Sequence, residues 1–166
     1  MKRTCQLVAA LMVTESSFVL AEARDSSPVE LYAANFYDLV VDRDSNTVKG
    51  DKGWFVNFYN KNCGHCRSFM PTWAELAGQS GSEIDVGQVS CMTPEGSDIC
   101  KEYKIRGYPT LIWMPPTTEE NRGRMCRYRG PQDQPTFRAF TIEGEWKTYP
   151  ECENLPGFVP ATQEEL

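Results

Sequence analysis

Histidine is almost absent from this chain: His65 is the only one in 166 residues. A finger-type zinc centre, which needs four cysteine and histidine ligands at set spacings, is poorly served by that supply. No run approaches the roughly 20 apolar residues that a membrane-spanning helix requires, and no internal repeat or low-complexity tract is present. Basic clusters are missing as well. The net charge is −6 and no Lys/Arg-rich stretch interrupts the mildly acidic character. That speaks against nucleic acid, whose phosphates demand a basic face. The remainder is ordinary for a soluble globular protein, with 40% hydrophobic and 24% charged residues. The length suits one domain with a single hydrophobic core.

Cysteine, by contrast, is plentiful: Cys5, Cys63, Cys66, Cys91, Cys100, Cys126 and Cys152. Residues 1–23 read as a signal peptide, with Lys2 and Arg3 at the start, an apolar stretch from Leu7 to Val13, and a small-residue cleavage site at Ala21-Glu22-Ala23. Thr14-Glu15-Ser16-Ser17 interrupts the apolar part; a frayed N-terminal helix is the alternative for this segment. Cleavage would remove Cys5 and leave six cysteines, an even number, as expected where disulfides form and persist. The expected compartment is oxidising.

Periodicity then orders residues 24–149 as one domain, with an irregular tail over 150–166. Val29 to Tyr32 reads as a short strand, and Asn35 to Asp42, with Phe36, Leu39 and Val40 at helical spacing, as a helix. Residues 43–53 read as a polar loop. Trp54 to Tyr59 is a β-prone apolar run suited to a central buried strand. A helix follows with Phe69, Met70, Trp73, Leu76 and Ala77 on one side and Pro71, a kink-former, inside it. Ile84 to Ser90 and Pro109 to Met114 read as strands, Ile99 to Tyr103 as a short helix between them, and Arg124 to Tyr128 as a hairpin partner for the second strand. Thr136 to Trp146, opened by Pro135, reads as the last helix. Strand and helix alternate early and a hairpin comes late, which implies an α/β fold with a mixed sheet flanked by helices.

Cys63-Gly64-His65-Cys66 opens the long helix. A helix N-terminus carries unpaired N–H groups and the positive end of the dipole, and both favour a thiolate over a thiol. Cys63 is therefore the expected exposed nucleophile. Cys66, one turn in, is the buried thiol that resolves a mixed disulfide, and His65 is placed to stabilise the thiolate further. Stabilising the reduced form makes the pair more oxidising, nearer about −180 mV than about −270 mV. Two other roles for such a pair are half of a zinc site, which would want two more ligands, and a purely structural disulfide.

Together, Phe58-Tyr59, Cys63-Gly64-His65-Cys66-Arg67, Pro71, Trp73 and Arg106-Gly107-Tyr108-Pro109-Thr110 resemble the catalytic domain of the protein disulfide isomerase family. The likeness runs from about Val29 to Trp146 and implies a thioredoxin fold, with no cofactor. It implies a cis Pro109 facing the redox pair, with the backbone at Tyr108 free to bind a substrate strand. Cys66 through Trp73, and Ser90-Cys91 through Cys100-Lys101-Glu102-Tyr103 to Ile105, also resemble the first thioredoxin domain of quiescin-type sulfhydryl oxidases. That resemblance implies a structural Cys91–Cys100 disulfide, and Cys126–Cys152 then follows by elimination. No flavin-binding segment is recognisable, so the chain alone would not pass electrons to oxygen, and an upstream sulfhydryl oxidase is one partner the resemblance implies. Cysteine-containing client proteins are the implied substrates. The chain departs from the family pattern at Asn62, where the family has Trp, and at three proton-handling positions, Asn57, Gln88 and Gln132. An Asn57–Gln88 hydrogen bond, direct or through a water, is expected in place of the family's ionisable pair. The ending Gln163-Glu164-Glu165-Leu166 resembles variant endoplasmic-reticulum retrieval signals, so the implied location is the endoplasmic reticulum lumen or outside the cell.

Overall fold

A computed structural model describes residues 27–81 and 83–157. The signal segment and the retrieval-like ending lie outside the described residues.

Six strands form one sheet in the order β1-β5-β4-β6-β7-β8. These are β1 (Val29–Leu31), β4 (Gly53–Tyr59), β5 (Ile84–Ser90), β6 (Thr110–Met114), β7 (Arg124–Tyr128) and β8 (Cys152–Asn154). β1, β5 and β4 run parallel, while β6, β7 and β8 alternate antiparallel from β4 outward. This is the expected mixed sheet. β4 lies at its centre because both its faces are apolar. Trp54, Val56 and Phe58 point into one layer, and Phe55 into the other.

Helices α1 (Ala33–Leu39) and α3 (Pro94–Glu102) cover the first face through Phe36 and Ile99. Helices α2 (Gly64–Ser80) and α4 (Gln134–Thr141) cover the second through Phe69, Trp73, Phe137 and Phe140. Phe55 is the hub of that second layer, 5.0 Å from the Trp73 ring and 5.5 Å from Phe137, both edge-on. Edge-to-face rings at such distances gain energy beyond area burial alone. Gly53 marks a close approach: a Cβ there would stand 2.1 Å from the Trp113 ring.

Several boundaries differ from the sequence expectation. The first helix ends at Leu39, and Val41–Asp42 instead pairs with Thr47–Val48 as a small hairpin, β2 and β3, inside the expected loop. Asp42 Oδ1 accepts from the backbone N–H groups of Asp44 and Ser45, which holds that turn. Helix α3 begins five residues earlier than expected, at Pro94, behind a Thr93 cap whose hydroxyl accepts from Gly96 N–H. The expected final helix breaks in two. α4 stops at Thr141, Gly144 adopts φ 88°, and a 3-10 turn covers Glu145–Thr148. The tail from Pro150 is not wholly irregular: Cys152–Asn154 forms β8 at the sheet edge, with Cys126 and Cys152 in direct register.

Two disulfides are formed, Cys91–Cys100, whose Cα atoms lie 5.7 Å apart, and Cys126–Cys152 across β7 and β8. Helix α2 runs through Pro71 as one element.

Candidate active site

The C-terminal end of β4 delivers the chain to the start of α2, so the site lies at an edge that the sheet itself defines. Cys63 is the N-cap of α2 with extended backbone, φ −78° and ψ 126°. Its carbonyl already accepts from Arg67 N–H, 3.1 Å away. Its sulfur is left facing the orphan donors of the first turn. Backbone N–H from Cys66, then the Cys66 side chain, then the His65 N–H and the Arg67 charge hold the Cys63 thiol below its ordinary pKa. Cys66, one turn further in, is 1% exposed. Burial pushes its thiol up, against a partial offset from the Asn60 backbone N–H. Both cysteines are free thiols. Two chemically identical groups three residues apart are thus shifted in opposite directions, Cys63 toward its thiolate and Cys66 toward its protonated form.

The facing wall comes from the turn before β6. The Tyr108–Pro109 peptide is cis, and Cys63 Sγ lies 3.7 Å from the Tyr108 carbonyl oxygen. The residues Cys63, Cys66, Tyr108 and Pro109 are therefore brought together. Of His65, the backbone N–H serves the sulfur, while the imidazole is exposed and borders a 390 Å³ cavity with Phe69, Pro109 and Gln132. Gly64 is also exposed, and a Cβ there would meet nothing within 4 Å. Arg67 bends back so that its Nη1 donates to the Asn62 carbonyl at 3.0 Å, which fixes the guanidinium beside the redox pair. Its role was not singled out in the sequence, although a cation directly after the second cysteine is a readable signal.

The proton-handling positions behave otherwise than expected. Asn57 is fully buried, and its Nδ2 points at Met70 Sδ, 3.8 Å away, one turn past Cys66 on α2. Asn57 and Gln88 are register partners, yet no direct hydrogen bond joins them. Gln88 reaches instead toward β1, where its Nε2 donates to Glu30 Oε2 at 2.7 Å. A charged acceptor at the edge strand outcompetes a neutral amide, because charge-assisted bonds are the stronger kind. The Asn57 Oδ1 and Gln88 Oε1 atoms are left without a hydrogen-bond partner among the described residues. Gln132 lies away from both, exposed beside the Pro109 turn.

Among the described residues no cluster of three or more His, Cys, Asp or Glu could hold a metal ion, and no helix is long and apolar enough to cross a membrane.

Comparison with known proteins agrees with this geometry. A protein disulfide-isomerase from Schizosaccharomyces pombe is 36% identical over 121 residues, covering 68% of this chain and 32% of its own length. Human sulfhydryl oxidase 2 is 35% identical over 114 residues, covering 61% of this chain and 16% of its own. The chain thus spans a third or less of either relative. Among solved structures, the Trx4 domain of ERdj5 superposes with a TM-score of 0.58 at 23% identity, over 74% of this chain and 97% of that domain, a likeness of fold. The thioredoxin family profile matches residues 29–142. With the mixed sheet, the paired thiols at the head of α2 and this match over most of its length, the chain belongs to the thioredoxin family.

Proposed function

We propose that this chain is a thiol–disulfide oxidoreductase and isomerase, acting through Cys63 and Cys66 on disulfides of secretory-pathway proteins. The observation that carries this reading is the opposed tuning of the two thiols beside the Tyr108 carbonyl. In the reductive direction the Cys63 thiolate attacks one sulfur of a client disulfide, forming a mixed disulfide and releasing a client thiolate. Cys66 then gives up its proton and attacks Cys63 Sγ. The second client thiolate leaves, the client gains two electrons, and Cys63–Cys66 becomes a disulfide. The reverse sequence oxidises a client dithiol. If the mixed disulfide is instead attacked by another client thiol, the client is rearranged and the pair is unchanged.

Cysteine-containing clients and an upstream sulfhydryl oxidase that re-oxidises the pair are the partners this chemistry asks for. Two disulfides in so small a fold support residence in an oxidising compartment, the endoplasmic reticulum lumen or beyond it. A second reading, a client-binding module of low turnover, draws support from the neutral Asn57 and from the diversion of Gln88 to Glu30.

Insulin reduction and the refolding of a scrambled disulfide protein separate the two. The enzyme reading expects turnover in both, lost in Cys63→Ser, with mixed disulfides accumulating in Cys66→Ser. Client binding without any turnover would leave the module reading standing.

A further inference from the structure

Beyond Tyr108 and Pro109, the turn borders a groove of 730 Å³ whose remaining lining takes no part in the redox chemistry described above. Its charged lining is Lys104, Arg106, Arg127 and Arg129 against a single carboxylate, Glu153. That is a concentrated excess of positive charge on a chain whose net charge is −6. Two of the four cations are held by the fold. Arg127 Nε donates to Glu153 at 2.5 Å while its Nη2 donates to the Tyr103 carbonyl at 2.6 Å, and Arg129 pairs with Glu151. Lys104 and Arg106 make no ion pair among the described residues, and both are exposed.

Lys104 carries a second, independent mark. It adopts φ 51°, left-handed backbone, in the turn that closes α3, with its N–H bonded to the Lys101 carbonyl. Glycine is the residue that fits such a post-helix position without steric cost, and a side chain there is disfavoured. A cation thus stands where the backbone favours glycine, at the rim of the groove. The groove begins where a client would lie, because Tyr108 and Pro109 line it and the Tyr108 carbonyl is 3.7 Å from Cys63 Sγ.

We infer that this groove is a client-recognition surface for acidic polypeptide, taking Asp or Glu side chains within a few residues of the cysteine under attack, with Lys104 and Arg106 as the unpaired acceptors of that charge. The inference rests on the thiol-exchange reading of Cys63 and names its substrate class. Free anions lack the extended chain that would join groove and sulfur, so a segment carrying both cysteine and carboxylates is the fitting ligand. Attraction at such exposed cations also speeds encounter and is screened by salt.

Two synthetic peptides test it, each closed by one intramolecular disulfide and fitted with a fluorophore and quencher, one flanked by Asp and Glu, the other by Ser and Gln. The ratio of kcat/KM, acidic over neutral, is expected to be about five, the yield of two exposed ion pairs. It should fall toward one in about 1 M NaCl and in the Lys104→Gly/Arg106→Gln variant, where glycine suits the backbone and protects the fold. Cysteine-free versions of the peptides, with Ser in place of Cys, are titrated in parallel by fluorescence anisotropy. A ratio near one in the wild type, or a ratio unmoved by the double substitution, overturns the inference. If neither disulfide peptide is turned over while the acidic Ser peptide still binds more tightly in a Lys104- and Arg106-dependent way, the redox reading fails and the groove stands. Equal binding of the two Ser peptides alongside normal turnover leaves the redox reading intact and sinks the groove.

Discussion

At the scale of single residues, the site works by giving one element type two environments. Cys63 faces N–H donors and the Arg67 charge, and Cys66 faces the core. The lowered Cys63 thiol should therefore be the first alkylated at mildly acidic pH, with Cys66 protected until the pH rises well past the ordinary thiol range, about 8.5. Iodoacetamide labelling followed by peptide mass mapping reads this directly, and Cys66 labelling ahead of Cys63 would reverse the assignment. Asn57 makes a second prediction. Its amide reaches only the weak acceptor Met70 Sδ, so nothing beneath α2 at this position accepts a proton. Asn57→Glu should speed release of mixed disulfides on the order of ten-fold or more, in the manner of a positioned general base. It should lower stability by about 1–3 kcal/mol, the cost of a poorly satisfied buried polar group. Stopped-flow turnover beside urea melts checks both, and an unchanged or slower release step would count against this role for the position.

At the scale of elements, what the sequence made legible follows signal length. β4, α2 and β5 were readable because each is a run of seven or more residues with a sustained apolar signal, continuous in β4 and on one helical side in α2. β2, β3 and β8 span two or three residues each, too few to show any period. They exist through pairing with chain that is distant or folded back on itself. The start of α3 was hidden by the polar, glycine-containing Pro94-Glu95-Gly96-Ser97, although Thr93 followed by Pro94 is a cap followed by a first-turn proline. The cysteine pair at the head of a helix was legible because its chemistry is local, whereas the cis turn at Pro109 came only from the family resemblance. The diversion of Gln88 was not legible, since it depends on Glu30 arriving from the neighbouring strand.

Capping yields a prediction at this scale. Asp133 accepts from both the N–H and the hydroxyl of Thr136, and these bonds hold its carboxyl below the usual range. A depressed folded pKa adds stability above the unfolded value, about 3.9, and that stability is lost as pH falls through the folded value. Asp133→Ala should lower the urea midpoint at neutral pH, with the gap to wild type closing in acid below that window. A gap independent of pH would assign the loss to something other than the carboxylate.

At the scale of the whole molecule, two aromatic layers on either side of β4 leave the active edge to the loops, so chemistry and core share few residues. Cys66 and Phe69 are the points where they meet, both buried under α2. The groove beside Pro109 belongs to the opposite half of the sheet, built from β6, β7 and the turn after α3. Recognition and electron transfer are thus carried by different strands.

The Cys126–Cys152 bridge has one more bearing, on colloidal behaviour. With β8 fastened in place, the outermost strand is three residues long, preceded by Glu151 and carrying Glu153 at its centre, a poor template for a neighbouring molecule. If a strong reductant opened the bridge and β8 peeled away, the border would become β7, a five-residue strand carrying Met125, Cys126 and Tyr128. Solutions kept in excess dithiothreitol should grow turbid on warming, at a protein-dependent rate that light scattering would follow, while those recycled by a milder thiol stay clear. A bridge outside the reacting pair would then decide how long a preparation survives the reagents needed to assay that pair.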